Sequence, residues 1–323
     1  MTVAEAIKTG KAMLADGNVL PPDAKFVPSP TPALDINCIL EHILQKDRTY
    51  LLIHRDEDLS SEQEQAFLVA VEKRRTGLPV AYITGHKEFY GLDFYVTPDV
   101  LIPKPDTELL VEHAVAEATG AGVPKVSAPN AAGVGDDYKI ADICTGSGCI
   151  IISVLNELLS SGAGKGKTAI KAYASDISEA ALKIAKTNAT RLLPDTQINF
   201  LQGDLFAAFP KEETFDLILS NPPYIPSTMV TELLKDGRSE PVLALDGDVE
   251  EAGSASPTND GLSIIRRLIP QAYSSLNKGG LFLVESGEYN AEETASLMKQ
   301  AGFSDVEIFK DLAGQLRLTQ GRR

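Results

Sequence analysis

From Lys139 onward the chain alternates short apolar runs with helical stretches, and that alternation limits the fold more than any other feature. The runs are KIADI (139–143), AIKAYAS (169–175), QINFLQ (197–202), FDLILS (215–220) and GLFLVES (280–286). Helical patterns lie between them around 148–160, 178–191 and 260–276, and the tail Asp305–Gln320 supplies two further strands. This order of elements specifies an α/β fold: a doubly wound, mostly parallel sheet, here of seven strands. Three stretches rich in Gly, Ser, Ala or Asp, at 120–137, 160–167 and 247–260, read as surface insertions.

Residues 1–85 have a different pattern and read as a small helical domain. Leu34–Gln45 places Leu34, Cys38, Ile39, Leu40, Ile43 and Leu44 at helical spacing. Ser60–Arg75 offers Ser61 followed by Glu64, a capping-box spacing, with Phe67, Leu68 and Val71 on one face. A proline-rich loop at Pro21–Pro32 separates helices. Glu88–Thr97 predicts a hairpin turning at Gly91, and Pro98–Ala118 passes from an extended segment into a helix near Asp106 or Thr107. The domain boundaries expected are 1–85, a hairpin and linker at 86–105, and 106–323.

The turn after the first strand, Cys144-Thr145-Gly146-Ser147-Gly148, opens a helix. Its glycines permit close backbone approach to a ligand at a helix N-terminus, where free N–H groups favour an anionic group. Asp176 ends the second strand, where acidic side chains hydrogen-bond ribose hydroxyls in nucleotide-binding α/β folds. Asp204 ends the third. Each aspartate alone is equally compatible with helix capping; both together with the glycine turn point to a nucleoside-bearing cofactor. The segment Gly162–Thr168 resembles a phosphate-binding loop but has Ser161 where that pattern needs glycine, and it precedes a strand, so it reads as an exposed loop.

The fourth strand ends in Asn221-Pro222-Pro223-Tyr224. Asn221 offers an acceptor oxygen and a donor NH₂, and the prolines fix φ and remove backbone donors, leaving carbonyl oxygens. Tyr224 adds a flat face for stacking. The set is suited to gripping a planar NH₂ group, one hydrogen to the Asn221 oxygen and the other to the Pro222 carbonyl. The plainer alternative is a rigid turn.

Composition narrows the function further. A net charge of −15 and a pI of about 4.8 lack the basic footprint that phosphate neutralisation demands, so no direct nucleic-acid contact is expected. No apolar run is long enough for a membrane helix. The three cysteines form neither a disulfide framework nor a zinc quartet, and the four histidines lack ligand spacing, so no metal is expected. With no secretory or transit signal at the N-terminus, the expectation is a cytoplasmic monomer, an organelle remaining open.

These residues carry a family resemblance. The sheet, the glycine turn, the acidic strand end and Asn-Pro-Pro-Tyr together resemble class I S-adenosylmethionine methyltransferases acting on planar nitrogens. More narrowly, the chain resembles the release-factor glutamine N5-methyltransferases (the PrmC/HemK family). The blocks that carry this are Pro79–Glu112, Asp142–Gly148, Ser220–Pro226, residues 238–247 and Lys278–Gly287, in family order across nearly the whole chain. The resemblance implies methyl transfer from S-adenosylmethionine to the glutamine amide of the Gly-Gly-Gln motif in a peptide-chain release factor, with the helical domain recognising that substrate. It implies that residues 144–148 hold the methionine part of the cofactor, Asp176 the ribose, and Asp204 with Leu205 the adenine. Asn221 would touch both cofactor and glutamine, and Pro222, Pro223 and Tyr224 would complete the glutamine grip. The family usually has Gly where Cys144 stands and Arg where Lys104 stands. Two rivals remain open: an adenine-N6 nucleic-acid methyltransferase using the same turn, and a non-catalytic binder of the cofactor.

Overall fold

The computed structural model describes residues 1–15, 28–120, 137–161, 170–236, 239–249 and 258–323. The three expected insertions lie in large part outside these residues, as do the phosphate-loop look-alike and most of the proline-rich loop. The chain divides into two compact units, Met1–His86 with Thr231–Glu240, and Lys87–Val230 with Pro241–Arg323.

The first unit is helical. Helices Val3–Ala15, Pro32–Leu44 and Ser61–Arg75 fully bury Ala6, Ile36, Ile39, Leu40, Phe67 and Val71. Of the residues expected on the apolar face, Ile39 and Leu40 are fully buried, with Ile36 beside them, whereas Leu34 is 50% exposed. The capping box also sits one residue earlier than its sequence suggests. Ser60 Oγ accepts from Gln63 N and Gln63 Oε1 accepts from Ser60 N at 2.8 Å. Both registers satisfy the pattern, but the Glu64 carboxylate is taken by the Met1 ammonium 2.6 Å away.

The hairpin, β1 (His86–Phe89) and β2 (Leu92–Tyr95), belongs to the second unit from Lys87 onward. Tyr90 and Gly91 both have positive φ, the two-residue turn whose twist matches paired strands. A short 3₁₀ turn, Pro105–Thr107, then leads into helix Glu108–Thr119. The sheet consists of β3 (Tyr138–Ile143), β4 (Ile170–Asp176), β5 (Ile198–Gln202), β6 (Phe215–Ser220), β7 (Leu276–Glu285), β8 (Ser304–Lys310) and β9 (Leu316–Arg322). Their order is β5-β4-β3-β6-β7-β9-β8, parallel from β5 to β7, with β9 antiparallel to both neighbours. All six residues of β6 are buried, as a central strand covered by helices on both faces requires.

β7 begins at Leu276, ahead of the expected Gly280, because Leu276 pairs with Phe215 of β6 ahead of a bulge, and Gly279 N then donates to the Arg323 carbonyl at 2.8 Å. Sequence steps outward from β3 to β4 and β5, then returns to β3's other side as β6. That reversal opens a crevice beyond the carboxyl ends of β3 and β6, where ligands of such sheets sit.

Candidate active site

Register brings the strand ends together: Ile143 stands opposite Ser175 on one side and Ser220 on the other, and Asp176 opposite Gln202. The glycine turn leaves β3 there and is fixed at several points. Thr145 N donates to the Ser175 carbonyl at 2.9 Å, Gly148 N to that of Thr145 at 2.8 Å, and Thr145 Oγ1 to Asp142 Oδ2 at 2.6 Å. Burial pushes the Asp142 carboxyl up to about 7, against the pull of that hydroxyl.

Cys144, Gly146 and Gly148 all have left-handed backbone, at φ +62°, +55° and +80°. A side chain in that region costs on the order of 1–2 kcal/mol, a cost that Cys144 carries and a glycine there would not. The other two differ in their surroundings. A Cβ on Gly146 would meet no atom within 4 Å, whereas one on Gly148 would lie 2.9 Å from Ile152 Cδ1 and 3.3 Å from Ala185 Cβ.

Asp176 is not a helix cap. The following helix, Glu179–Leu192, is capped by Ser178, whose Oγ accepts from Ala181 N. Asp176 instead accepts from Gly146 N through Oδ2 and from Ser178 N through Oδ1, each at 2.9 Å, so it clasps the glycine turn. Burial raises its carboxyl above the usual range, opposed by these backbone donors. Asp204 likewise makes no side-chain cap to the 3₁₀ turn Leu205–Ala208; its carboxylate pairs with Arg267.

Asn221 donates through Nδ2 to Thr107 Oγ1 at 3.0 Å, which leaves its oxygen available. Tyr224 turns its hydroxyl to Glu285 Oε1, 3.2 Å away, and packs beside the core under β6 and β7. Its carbonyl accepts from Asn290 Nδ2 at 3.1 Å and Tyr289 Oη at 3.3 Å, so the turn is held from behind as well.

These groups surround a cavity of about 470 Å³, within the range of small-molecule sites. Of the residues singled out in the sequence, Cys144, Thr145, Gly146, Ser147, Asp176, Asp204, Leu205, Asn221 and Pro223 line it. Gly148, Pro222 and Tyr224 are not among the lining residues. Sequence reasoning passed over Thr107 and Arg267, which also line the cavity, and Glu285 beneath the turn. Glu285 carried one signal, a carboxylate closing an otherwise apolar strand.

The donor set suits a nucleoside with a charged tail. Asp176 offers acceptor-only oxygens, Gly146 leaves open space at the wall, and the buried Ser147 and Ser175 hydroxyls have no partner among the described residues.

Comparison with known proteins gives one consistent result. The family model for the PrmC N-terminal domain matches residues 5–85, and one for a methyltransferase domain matches residues 135–315. The chain is 36% identical over 300 residues to the release factor glutamine methyltransferase of Burkholderia pseudomallei, covering 91% of this chain and 93% of that one. It is 36% identical to that of Bordetella pertussis, covering 90% and 94%, and 34% identical to that of Moorella thermoacetica, covering 98% and 97%. With matches of this extent along both chains, the protein belongs to the release factor glutamine methyltransferase family.

Proposed function

We propose that the protein transfers a methyl group from S-adenosylmethionine to the side-chain amide nitrogen of the glutamine in the Gly-Gly-Gln motif of a peptide-chain release factor. The observation that carries this reading is Asn221. It lies in the cavity wall with the glycine turn, giving one NH₂ hydrogen to Thr107, while its oxygen makes no hydrogen bond among the described residues and can accept from a ligand N–H.

The cofactor, when bound, supplies a methyl on a positively charged sulfur, and the remaining work is orientation. Residues 144–148 are assigned to its methionine part, Asp176 to the ribose, and Asp204 with Leu205 to the adenine. An amide nitrogen is a weak nucleophile because its lone pair is delocalised into the carbonyl. Two fixed acceptors, Asn221 Oδ1 and the Pro222 carbonyl, hold the glutamine NH₂ so that its lone pair faces the methyl. Fixing reactants in this way supplies up to ~7–11 kcal/mol of a barrier in favourable cases. The same acceptors favour positive charge developing on nitrogen. Pro223 stiffens the turn, and Tyr224, the next residue of that turn, is assigned to the incoming peptide.

Residues 1–85 are assigned to recognition of the release factor, 86–105 to a hairpin and linker, and 106–323 to methyl transfer. Among the described residues no helix is long and apolar enough to cross a membrane. The same reading takes the enzyme as a cytoplasmic monomer, which light scattering at working concentration checks for the oligomeric part. The adenine-N6 reading is disfavoured by relatives that match along nine-tenths of the chain.

The deciding experiment incubates the full chain and labelled S-adenosylmethionine with a release factor, its Gly-Gly-Ala variant, and DNA. Label is expected in the first alone. Label in DNA, or equal label in the Gly-Gly-Ala variant, defeats the reading.

A further inference from the structure

Glu285 ends β7 directly beneath the Asn-Pro-Pro-Tyr turn. Ser220 of β6 pairs with Val284 of β7, so Asn221 and Glu285 leave adjacent parallel strands at the same level. Glu285 is 2% exposed, and Thr107 is equally buried. Oε1 of Glu285 accepts from the Tyr224 hydroxyl at 3.2 Å, while Oε2 has no hydrogen-bond partner among the described residues. A buried carboxyl oxygen left in that state is costly, so it draws on any hydrogen within reach.

The hydroxyl that bears on this carboxyl is that of Thr107, as buried as Glu285 and bonded to Asn221, although no hydrogen bond joins the two among the described residues. Asn221 Nδ2 brings its own hydrogen to Thr107 Oγ1, 3.0 Å away, so the hydroxyl hydrogen has to point elsewhere. After burial, the Thr107 hydroxyl is the strongest influence on the Glu285 carboxyl. With Asn221 donating to Thr107, the Thr107 hydrogen is left to turn toward the unpartnered Glu285 oxygen, which sets an order of donation from Asn221 to Thr107 and from Thr107 to Glu285.

This order matters because the two ends of an asparagine amide have nearly the same shape. Packing alone hardly distinguishes them; hydrogen-bond polarity does. We propose that Thr107 and Glu285 are positioning residues for the methyl transfer, acting in series to turn the oxygen of Asn221, and not its NH₂, toward the acceptor nitrogen. The inference rests on the glutamine-amide reading given above.

Protonation of Glu285 would reverse the series. A neutral carboxyl can donate to Thr107, which then donates to Asn221 and turns the NH₂ into the cavity. Burial pushes this carboxyl up to about 7. The groups bearing on it are Tyr224 from the turn, Arg317 from β9, Asp106 from the 3₁₀ turn and Cys149 at the start of the helix after the glycine turn. Arg317 and Tyr224 favour the charged form, and Asp106 opposes it.

The test is steady-state kinetics on release factor for Thr107→Val, Thr107→Ser and Glu285→Gln, with cofactor affinity by calorimetry and folding by circular dichroism. Thr107→Val is expected to lower kcat on the order of 100-fold. Its KM for release factor, set by the whole protein surface, changes little. Thr107→Ser restores most of the rate. Glu285→Gln lowers kcat and removes the fall in wild-type kcat as pH drops through about 7. Wild-type kcat in Thr107→Val or Glu285→Gln, failure of serine to restore the rate, or an unchanged acid limb in Glu285→Gln overturns the proposal. Should Thr107→Val fail to fold, the serine and glutamine variants decide it. A wild-type enzyme that labels no release factor refutes the glutamine reading instead.

Discussion

Gly146 and Gly148 lie two residues apart in one turn, with the same left-handed backbone, and alanine at each position should produce different losses. At φ +55° and +80° both substitutions place a side chain where it costs ~1–2 kcal/mol. At Gly148 the new Cβ also stands 2.9 Å from Ile152 Cδ1 and 3.3 Å from Ala185 Cβ, between two packed helices. Overpacking of this kind adds ~1–3 kcal/mol, so Gly148→Ala is expected to cost roughly 2–5 kcal/mol in all. Gly146→Ala incurs only the backbone part, since its Cβ meets no atom within 4 Å, but that Cβ enters the space assigned to the cofactor. Its loss should appear in binding: a weakening of tenfold or more, at least ~1.4 kcal/mol. Thermal melts without cofactor and calorimetric titration with S-adenosylmethionine read the two quantities separately. Wild-type affinity in Gly146→Ala would mean that the turn is not the cofactor's cradle. Equal melting temperatures for the two variants would refute the packing argument.

Three further outcomes are expected. The Glu285 carboxyl is raised from 4.5 to about 7, so the stability it confers is present below pH 4.5 and lost as pH rises through 7. Glu285→Gln should therefore be the more stable protein at pH 8, by about 3 kcal/mol, with the gap closing by pH 4; denaturant unfolding at both pH values checks this, and a constant gap contradicts it. Asp176→Asn replaces an acceptor-only clasp by a group with donors of its own, and cofactor affinity should fall on the order of tenfold; unchanged calorimetric affinity would remove Asp176 from the site. In the helical unit, Arg74 Nε meets Asp35 Oδ2 at 2.6 Å with both side chains largely buried, and Ser29 and Thr31 complete the carboxylate. Arg74→Met leaves that charge unpaired and should destabilise the unit by roughly 3 kcal/mol, against which a loss below about 1 kcal/mol in urea unfolding would count.

What the sequence determined by itself is local or periodic. Strands β3 to β6 fall within a residue or two of their apolar runs, most plainly in β6, buried throughout, because a strand covered on both faces must be apolar along its length. The glycine turn and the proline turn were legible because φ is written into the residue type: glycine permits the left-handed region and proline forbids most others. The tertiary structure decided which of several local possibilities was taken. Ser60 and Ser61 both fit a capping box, and a remote ammonium on Glu64 separated them. Asp176 and Ser178 could each have capped the same helix, and the Gly146 N–H, 30 residues away, claimed the aspartate. Asn221 meets Thr107 across 114 residues and Tyr224 meets Glu285 across 61, bonds that leave no trace in local spacing. A side chain's identity fixes what hydrogen bonds it can make; only the folded chain fixes which partner stands at the right distance to orient it.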